Sequence, residues 1–331
     1  MAYRALITGI SGFVGGFLAE HLLHCGDDVL GCSFDGLWEQ DSPRGVSNRV
    51  ELVTWDLADE AGIHENGRLR IERFCPHVIY HLAAISVPEQ CGDERPTELA
   101  WAVNVDGTRR VLELAESLTP SPRVLLVSSS HLYAPVDSGN PLVDEDAPLQ
   151  PHGGYGQTKL AAEKEVHHSI EHHGADAVIA RAFHHTGPRQ LPPLMLPQWA
   201  EQFAAGGSEP VEVYTLEAQL DLCDVRDVVR AYRLLAEKGR RGRVYNIGTG
   251  NGQSSGNILQ LLRAAADDQG LAGTTREIVI LRPGPRQEPL ANIERLAQCT
   301  GWRPEIPIEK TVADTLAWWR EKLKNRTGDA I

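Results

Sequence analysis

Apolar positions in the first half of the chain switch repeatedly between short unbroken runs and helical spacing. Tyr3–Thr8 is a short apolar run that ends at a glycine-rich turn. The next stretch, 15–25, places Phe17, Leu18, Leu22 and Leu23 on one side of a helix. Asp28–Ser33 and Val50–Trp55 predict two more strands, and His77–Leu82 a buried one. A long helix is expected over Glu98–Ser117, a strand over Arg123–Ser128, a helix over Tyr155–His173 and a strand over Ala177–Ala182. Strands alternating with helices imply right-handed crossovers, and so an α/β, doubly wound parallel sheet covered on both faces. Past residue 185 the texture changes, with Pro188, Pro192, Pro193 and Pro197 breaking the chain. Short helices are expected near Gln198–Ala205, Asp227–Lys238, Ser255–Ala266 and Thr311–Leu323, with strands at Val211–Thr215, Val244–Ile247 and Glu277–Leu281. The expected division is a nucleotide-binding domain over 1–185 and a smaller substrate-binding lobe over 186–331, with 211–244 free to pass back to the first domain.

Charge and cysteine usage narrow the partners. The formal net charge is −13, which disfavours general nucleic-acid binding, since that draws on Lys and Arg. A local basic pocket for an anionic small molecule stays compatible with it. No run approaches the roughly 20 apolar residues of a membrane span, and Met1–Thr8 carries no leader pattern, so a cytoplasmic protein is expected. The 6 cysteines are scattered without a Cys-x-x-Cys pair. Neither a zinc ribbon nor a disulfide framework is implied. His131, His152, His184 and His185 come without a carboxylate at ligand spacing, so no metal is expected.

Thr8-Gly9-Ile10-Ser11-Gly12-Phe13-Val14-Gly15 lies between the first strand and the first helix. Glycines there permit a tight turn, approach of backbone to a pyrophosphate, and close packing of helix on strand. The helix N-terminus then offers free N–H groups to the anion. In this context the sheet is expected to be of the Rossmann type, with Gly9, Ser11, Gly12, Phe13, Val14 and Gly15 at a dinucleotide. An acid closing the second strand would grip a ribose 2′-hydroxyl and select NAD. Ser33 stands there instead and leaves room for a 2′-phosphate, so NADP is favoured with NAD possible. Arg44 and Arg49 are the cations close enough in sequence to reach it.

Tyr155-Gly156-Gln157-Thr158-Lys159 places a phenol and an ammonium four residues apart, on one helical face. A nearby ammonium, together with the nicotinamide charge, favours tyrosinate and should draw the phenol below its usual value near 10. Ser128-Ser129-Ser130 ends the preceding strand, on the carboxyl edge where open α/β sheets bind ligands.

Together these segments resemble the extended short-chain dehydrogenase/reductases, the NAD-dependent epimerase/dehydratase family. The resemblance implies that Asp56 and Leu57 meet the adenine, and that Leu82, Ala83, Ala84 and Val127 line the cofactor. It places Ser129 on the reacting oxygen and Tyr155 as proton donor, with Lys159 beside the phenol and the cofactor ribose. It also implies a homodimer through the 98–117 and Tyr155 helices. Arg181-Ala182-Phe183-His184-His185-Thr186-Gly187-Pro188-Arg189-Gln190 resembles a segment of GDP-mannose 4,6-dehydratases and GDP-4-keto-6-deoxy-mannose reductases. So do Asp224–Tyr232, Val244–Gly250 and Gly301–Pro307. The implied activity is reduction of a 4-keto-6-deoxy sugar nucleotide. A 4-epimerase and a 4,6-dehydratase are the alternatives, and a cofactor-binding regulatory protein the non-enzymatic one. Dehydratases carry Glu two residues after the serine; here it is His131, which favours simple hydride transfer. Ser86, Ser130, His131, His184, Arg189, Arg226 and Arg282 are the implied substrate contacts. Two departures fall at the diphosphate, where His184 replaces an Asn and Leu220 an Arg.

Overall fold

The structure is a computed structural model that describes residues 2–39, 42–271 and 275–328. Its centre is a seven-stranded sheet. In spatial order the strands are Val244–Ile247, Ala177–Ala182, Arg123–Ser129, Val78–His81, Arg4–Thr8, Asp28–Ser33 and Glu51–Thr54, and every neighbouring pair is parallel. Side chains of a strand alternate between faces. Ala5 and Ile7 therefore enter one core with Leu125, Val178 and Ala180. Leu6 enters the other with Val124, Leu126 and Ile179. A sheet buried on both faces needs near-continuous apolar strands, which is what the runs in the sequence supply.

The residue-186 boundary is crossed by the chain. Helix Val225–Lys238 packs on the first helix, Phe13–His24, and the strand Val244–Ile247 that follows becomes the edge of the large sheet. The lobe proper has its own core, in which Trp199, Phe203, Leu262, Val312, Leu316 and Trp319 meet between helices Met195–Ala205, Ser255–Asp268 and Ile308–Gly328. No helix among the described residues is long and apolar enough to cross a membrane.

The long helix expected over 98–117 is not uniform. Glu98–Trp101 and Gly107–Ser117 are α-helical, and Ala102–Asp106 between them is a wider π turn. Asn104 sits in that turn, buried. Its Oδ1 accepts from the Ile85 N–H at 2.8 Å, and its Nδ2 donates to the Ile85 carbonyl and to Thr158 Oγ1, each at 3.0 Å. One side chain thus ties the loop after the fourth strand to the helix that carries Tyr155.

Several two- to four-residue strands escaped the pattern, among them His185–Thr186, Ala218–Asp221, Cys223–Asp224 and Arg286–Gln287. Each is too short to show a period and is defined by a partner distant in sequence.

Candidate active site

The glycine turn divides its work among three positions. Gly9 has φ +69° and lies against the backbone of Ala83, where a Cβ would come within 2.8 Å. At Gly15 a Cβ would come within 2.3 Å of the Gly9 carbonyl oxygen, so the helix seats directly on the strand. Gly12 differs, because a Cβ there would meet only the Gly9 carbonyl, at 3.4 Å. The fold itself does not require glycine at Gly12, whose missing side chain leaves the mouth of the turn open. Helix Phe13–His24 starts at Gly12 with no side-chain cap and no acid in its first turn. Its first N–H groups are left for an anion. This cradle fits a dinucleotide pyrophosphate, with Ser11, Phe13 and Val14 around it.

Behind the turn, His81 closes the fourth strand. Its Nδ1 is 2.8 Å from Thr8 Oγ1 and its Nε2 3.0 Å from Thr108 Oγ1. Burial holds this imidazole down at about 3, so it is neutral. It fixes the carboxyl end of the first strand, and Thr8 Oγ1 in turn accepts from the Ala83 N–H at 3.3 Å. Leu82, Ala83 and Ala84 are half-buried along this edge. Asp56 caps its own loop through the Ala58 N–H, and the Leu57 carbonyl accepts from Arg110. Ser33 is buried, and its hydroxyl faces Asp35 Oδ1 at 3.4 Å. Arg49 is exposed and the Arg44 side chain lies outside the described residues.

Ser129, Tyr155 and Lys159 come together at the carboxyl edge of the sheet. Ser129 ends its strand beside Tyr155, where its hydroxyl favours the phenolate as a hydrogen-bond donor would. Lys159 is buried, donates from Nζ to the Val127 carbonyl at 2.9 Å, and stands 5.9 Å from the Tyr155 ring centre. The expected lowering of the phenol is not what these residues produce by themselves. Burial pushes Tyr155 up to about 12, and the Ser129 hydrogen bond offsets only part of that. Lys159 is drawn down to about 8, chiefly by desolvation. A buried charge costs more than one ammonium beyond hydrogen-bond distance returns. Cys91, which sequence reasoning did not single out, is buried close enough to affect both groups.

The Tyr155 helix, Gly153–His172, is clamped to the sheet by a buried ion pair. Arg181 holds Glu163 through two bonds of 2.9 and 2.8 Å, and Ser128 Oγ donates to the same carboxylate at 2.6 Å. Arg181 also donates to the Tyr133 phenol at 3.1 Å, which in turn donates to Asn246 Oδ1 at 2.6 Å.

His131 and His184 join this cluster. The His131 ring lies 5.4 Å from that of Tyr155 and 5.5 Å from that of His184. Burial lowers both imidazoles, His184 to about 3. His184 Nδ1 is buried without a partner among the described residues, and the neighbouring His185 lies parallel to Phe13 with ring centres 6.4 Å apart. Glu288 and Arg286, paired with each other, act on His131 with opposite signs. Nothing in local spacing pointed to these two, because the strand Arg286–Gln287 reaches the site only by pairing with Ala218–Gln219.

The other implied substrate contacts are dispersed. Ser130 is buried in the one-turn helix after Ser129, and Ser86 is exposed on the loop after the fourth strand. Arg226 spends its nitrogens on Asp224 and Asp314. Arg189, at φ +72°, is held by Glu20 at 2.6 Å and lies 3.5 Å over the Phe17 ring. Arg282 stacks on Tyr214 at the lobe surface.

This arrangement has counterparts among known proteins. GDP-6-deoxy-D-mannose reductase of Pseudomonas aeruginosa is 27% identical over 331 residues, covering 98% of this chain and 99% of that one. The structure of RMD from Pseudomonas aeruginosa complexed with NADPH superposes with a TM-score of 0.79 at 25% identity, covering 97% of this chain and 99% of that one. The UDP-glucose 4-epimerase of Thermus thermophilus in complex with NAD gives 0.81 at 25% identity, with 96% and 99% covered. The sequence profile of the NAD dependent epimerase/dehydratase family matches residues 5–248, and the chain belongs to that family.

Proposed function

We propose that this protein is a nicotinamide-dependent oxidoreductase acting on a nucleotide-linked sugar, most simply a reductase of a 4-keto-6-deoxy sugar nucleotide. The observation that carries the proposal is the meeting of Ser129, Tyr155 and Lys159 at the carboxyl edge of the sheet, where open α/β sheets bind ligands. The whole-length likeness to a GDP-6-deoxy-D-mannose reductase supports the substrate class.

The cofactor supplies a hydride. Gly9, Gly12 and Gly15 shape the seat for its pyrophosphate, and Ser33 faces its adenine ribose. The Asp35 carboxylate accepts from the Leu37 N–H at 3.0 Å, turned to its own loop, which supports NADP over NAD. Ser129 orients the carbonyl oxygen, Tyr155 gives it a proton, and Lys159 holds the cofactor ribose. The sugar then lies against Ser130, His131 and His184, whose free Nδ1 is available to it.

At the phosphates, Leu220 offers no donor, and Arg189 and Arg226 are engaged with acids of the fold. A charge-assisted bond of that kind is worth roughly 1.5–3 kcal/mol. Either Arg282, stacked on Tyr214, supplies the missing contact, or the substrate places less charge at this subsite than an ordinary GDP-sugar. Purified protein with NADPH and a panel of 4-keto sugar nucleotides differing in base should consume NADPH with at least one of them. Bound cofactor with no consumption across the panel would favour a regulatory, non-enzymatic role.

A further inference from the structure

The turn between helix Val225–Lys238 and strand Val244–Ile247 gathers cations at the amino edge of the large sheet, the edge opposite Ser129. The Arg243 N–H donates to the Arg240 carbonyl at 3.0 Å. Gly242, at φ +74°, takes the third place of this turn, and its N–H donates to the carbonyl of Ala177, the first residue of the next strand, at 2.8 Å. A turn closed in this way brings its first and fourth Cα atoms within about 7 Å. Arg240 and Arg243 therefore rise from adjoining points. With Tyr245, Arg295, Gln298 and Cys299 they line a hollow of about 230 Å³. One wall is held firmly, because Tyr245 is buried and its hydroxyl accepts from the Arg240 N–H at 3.0 Å and faces Cys299 Sγ at 3.4 Å.

The two guanidiniums are not spent on the fold. Cations at a helix C-terminus ordinarily serve its unpaired carbonyls. Here the Ala236 and Gly239 carbonyls accept from Arg123 at 3.2 and 2.8 Å, the Leu235 carbonyl from the Gly239 N–H at 2.8 Å, and the Lys238 carbonyl from Cys299 Sγ at 3.2 Å. Arg241 donates to the Ala175 and Ile170 carbonyls at 2.7 and 3.0 Å. Arg295 is balanced by Glu145 and Asp146, and the acids of the flanking helices, Glu237 and Glu294, face Arg233 and Arg303. The side chains of Arg240 and Arg243 have no ion pair or hydrogen bond among the described residues. Two unpaired positive charges thus share one concavity in a chain whose net charge is −13.

We propose that this hollow is an anion site, separate from the glycine turn, that takes the phosphate group of a small molecule. A phosphate monoester carries about 1.5 to 2 negative charges near neutrality, which matches two free guanidiniums, whereas a carboxylate matches one. Planar guanidinium forks bind phosphate oxygens in pairs, and the Gln298 amide has N–H groups to add. A hollow of about 230 Å³ is smaller than the roughly 300–1,000 Å³ of sites that enclose drug-sized ligands. The occupant is therefore compact. It is free phosphate or pyrophosphate, or the phosphorylated end of a metabolite whose remainder stays in solvent. The site lies at the end of the sheet away from Ser129 and does not depend on the reaction proposed there.

Calorimetric titration with inorganic pyrophosphate, in the presence of saturating NADPH to keep the glycine turn filled, tests the site. Wild type should bind the anion, and the Arg240→Gln, Arg243→Gln double variant should bind it at least about tenfold more weakly, with NADPH affinity and Tm unchanged. Inorganic phosphate and glycerol 3-phosphate, titrated in parallel, separate a site for the free ion from one for a phosphorylated metabolite by which binds more tightly. Acetate should bind more weakly than either. Equal pyrophosphate affinity in wild type and double variant, or no binding at millimolar anion, would overturn the proposal. A second measurement needs no variant. Saturating pyrophosphate should slow alkylation of Cys299 by iodoacetamide, read by mass spectrometry with and without cofactor, and leave the exposed Cys25 unaffected. Alkylation of Cys299 at an unchanged rate would overturn the site even if the double variant were unstable.

Discussion

Gly12 and Gly15 stand three residues apart and are glycine for different reasons. A methyl group at Gly15 meets backbone at 2.3 Å, whereas one at Gly12 finds ordinary contact. Gly15→Ala should therefore lower Tm substantially. Gly12→Ala should leave Tm within a degree or two yet weaken NADPH binding by at least about tenfold, or 1.4 kcal/mol. Equal losses of stability in the two variants, read by calorimetry, would show that Gly12 is structural.

Lys159 gives a residue-level prediction in pH. Its pKa falls from 10.5 to about 8 on folding, so between those values the unfolded chain binds more protons than the native one. Stability gained through this group rises with pH across that window and is absent below it. Denaturant titrations of wild type and Lys159→Met should diverge in favour of wild type by up to about 3 kcal/mol between pH 7 and 10. Parallel curves would mean that the ammonium is solvated.

Among the elements, the Tyr155 helix depends on an ion pair that strand and helix patterns did not reveal. Arg181 and Glu163 are 4% and 3% exposed and share their bonds with Ser128 and Tyr133. Removing one partner strands the other charge, so Glu163→Ala should destabilise by about 3–5 kcal/mol in urea titration. A loss below about 1 kcal/mol would show that water replaces the carboxylate. The long apolar runs and the Tyr-x-x-x-Lys spacing were legible because each is local. The π turn at Asn104 and the short strand carrying Arg286 were not. The first is set by what Asn104 bonds across the fold, and the second by a partner strand distant in sequence. Asp221 belongs with them, since its buried carboxylate collects the N–H groups of Thr249, Gly250 and Ala291. Its neighbour Leu220 drew notice in the sequence, but Asp221 itself did not. The lowered tyrosine expected from the ammonium and the nicotinamide charge together is not produced by the ammonium alone, because charge spacing is visible in a sequence and burial is not.

At the scale of the whole molecule, the helices at 98–117 and 153–172 lie side by side, bridged by Arg109 and Glu165 at 3.0 Å. Leu99 and Trp101 on the first of them are 57% and 43% exposed, beside a surface hollow lined by Arg95, Glu98 and Gln157. Large apolar side chains exposed together mark an interaction surface, and a two-fold pairing of these helices would cover them. Light scattering at micromolar protein should give a dimer for wild type and a monomer for the Leu99→Asp, Trp101→Asp double variant. A monomeric wild type would rule the pairing out.

The central claim is that Tyr155, oriented by Ser129 and Lys159, protonates a carbonyl oxygen of a nucleotide-linked sugar as its carbon receives a nicotinamide hydride. The most direct measurement uses NADPH deuterated at the transferable position, with mass and NMR analysis of the sugar product. Wild type should deliver one deuterium to the former carbonyl carbon. Tyr155→Phe should bind the cofactor with nearly unchanged affinity and deliver it at least about 10²-fold more slowly. Undiminished transfer by Tyr155→Phe, or wild-type product without deuterium at that carbon, would contradict the account.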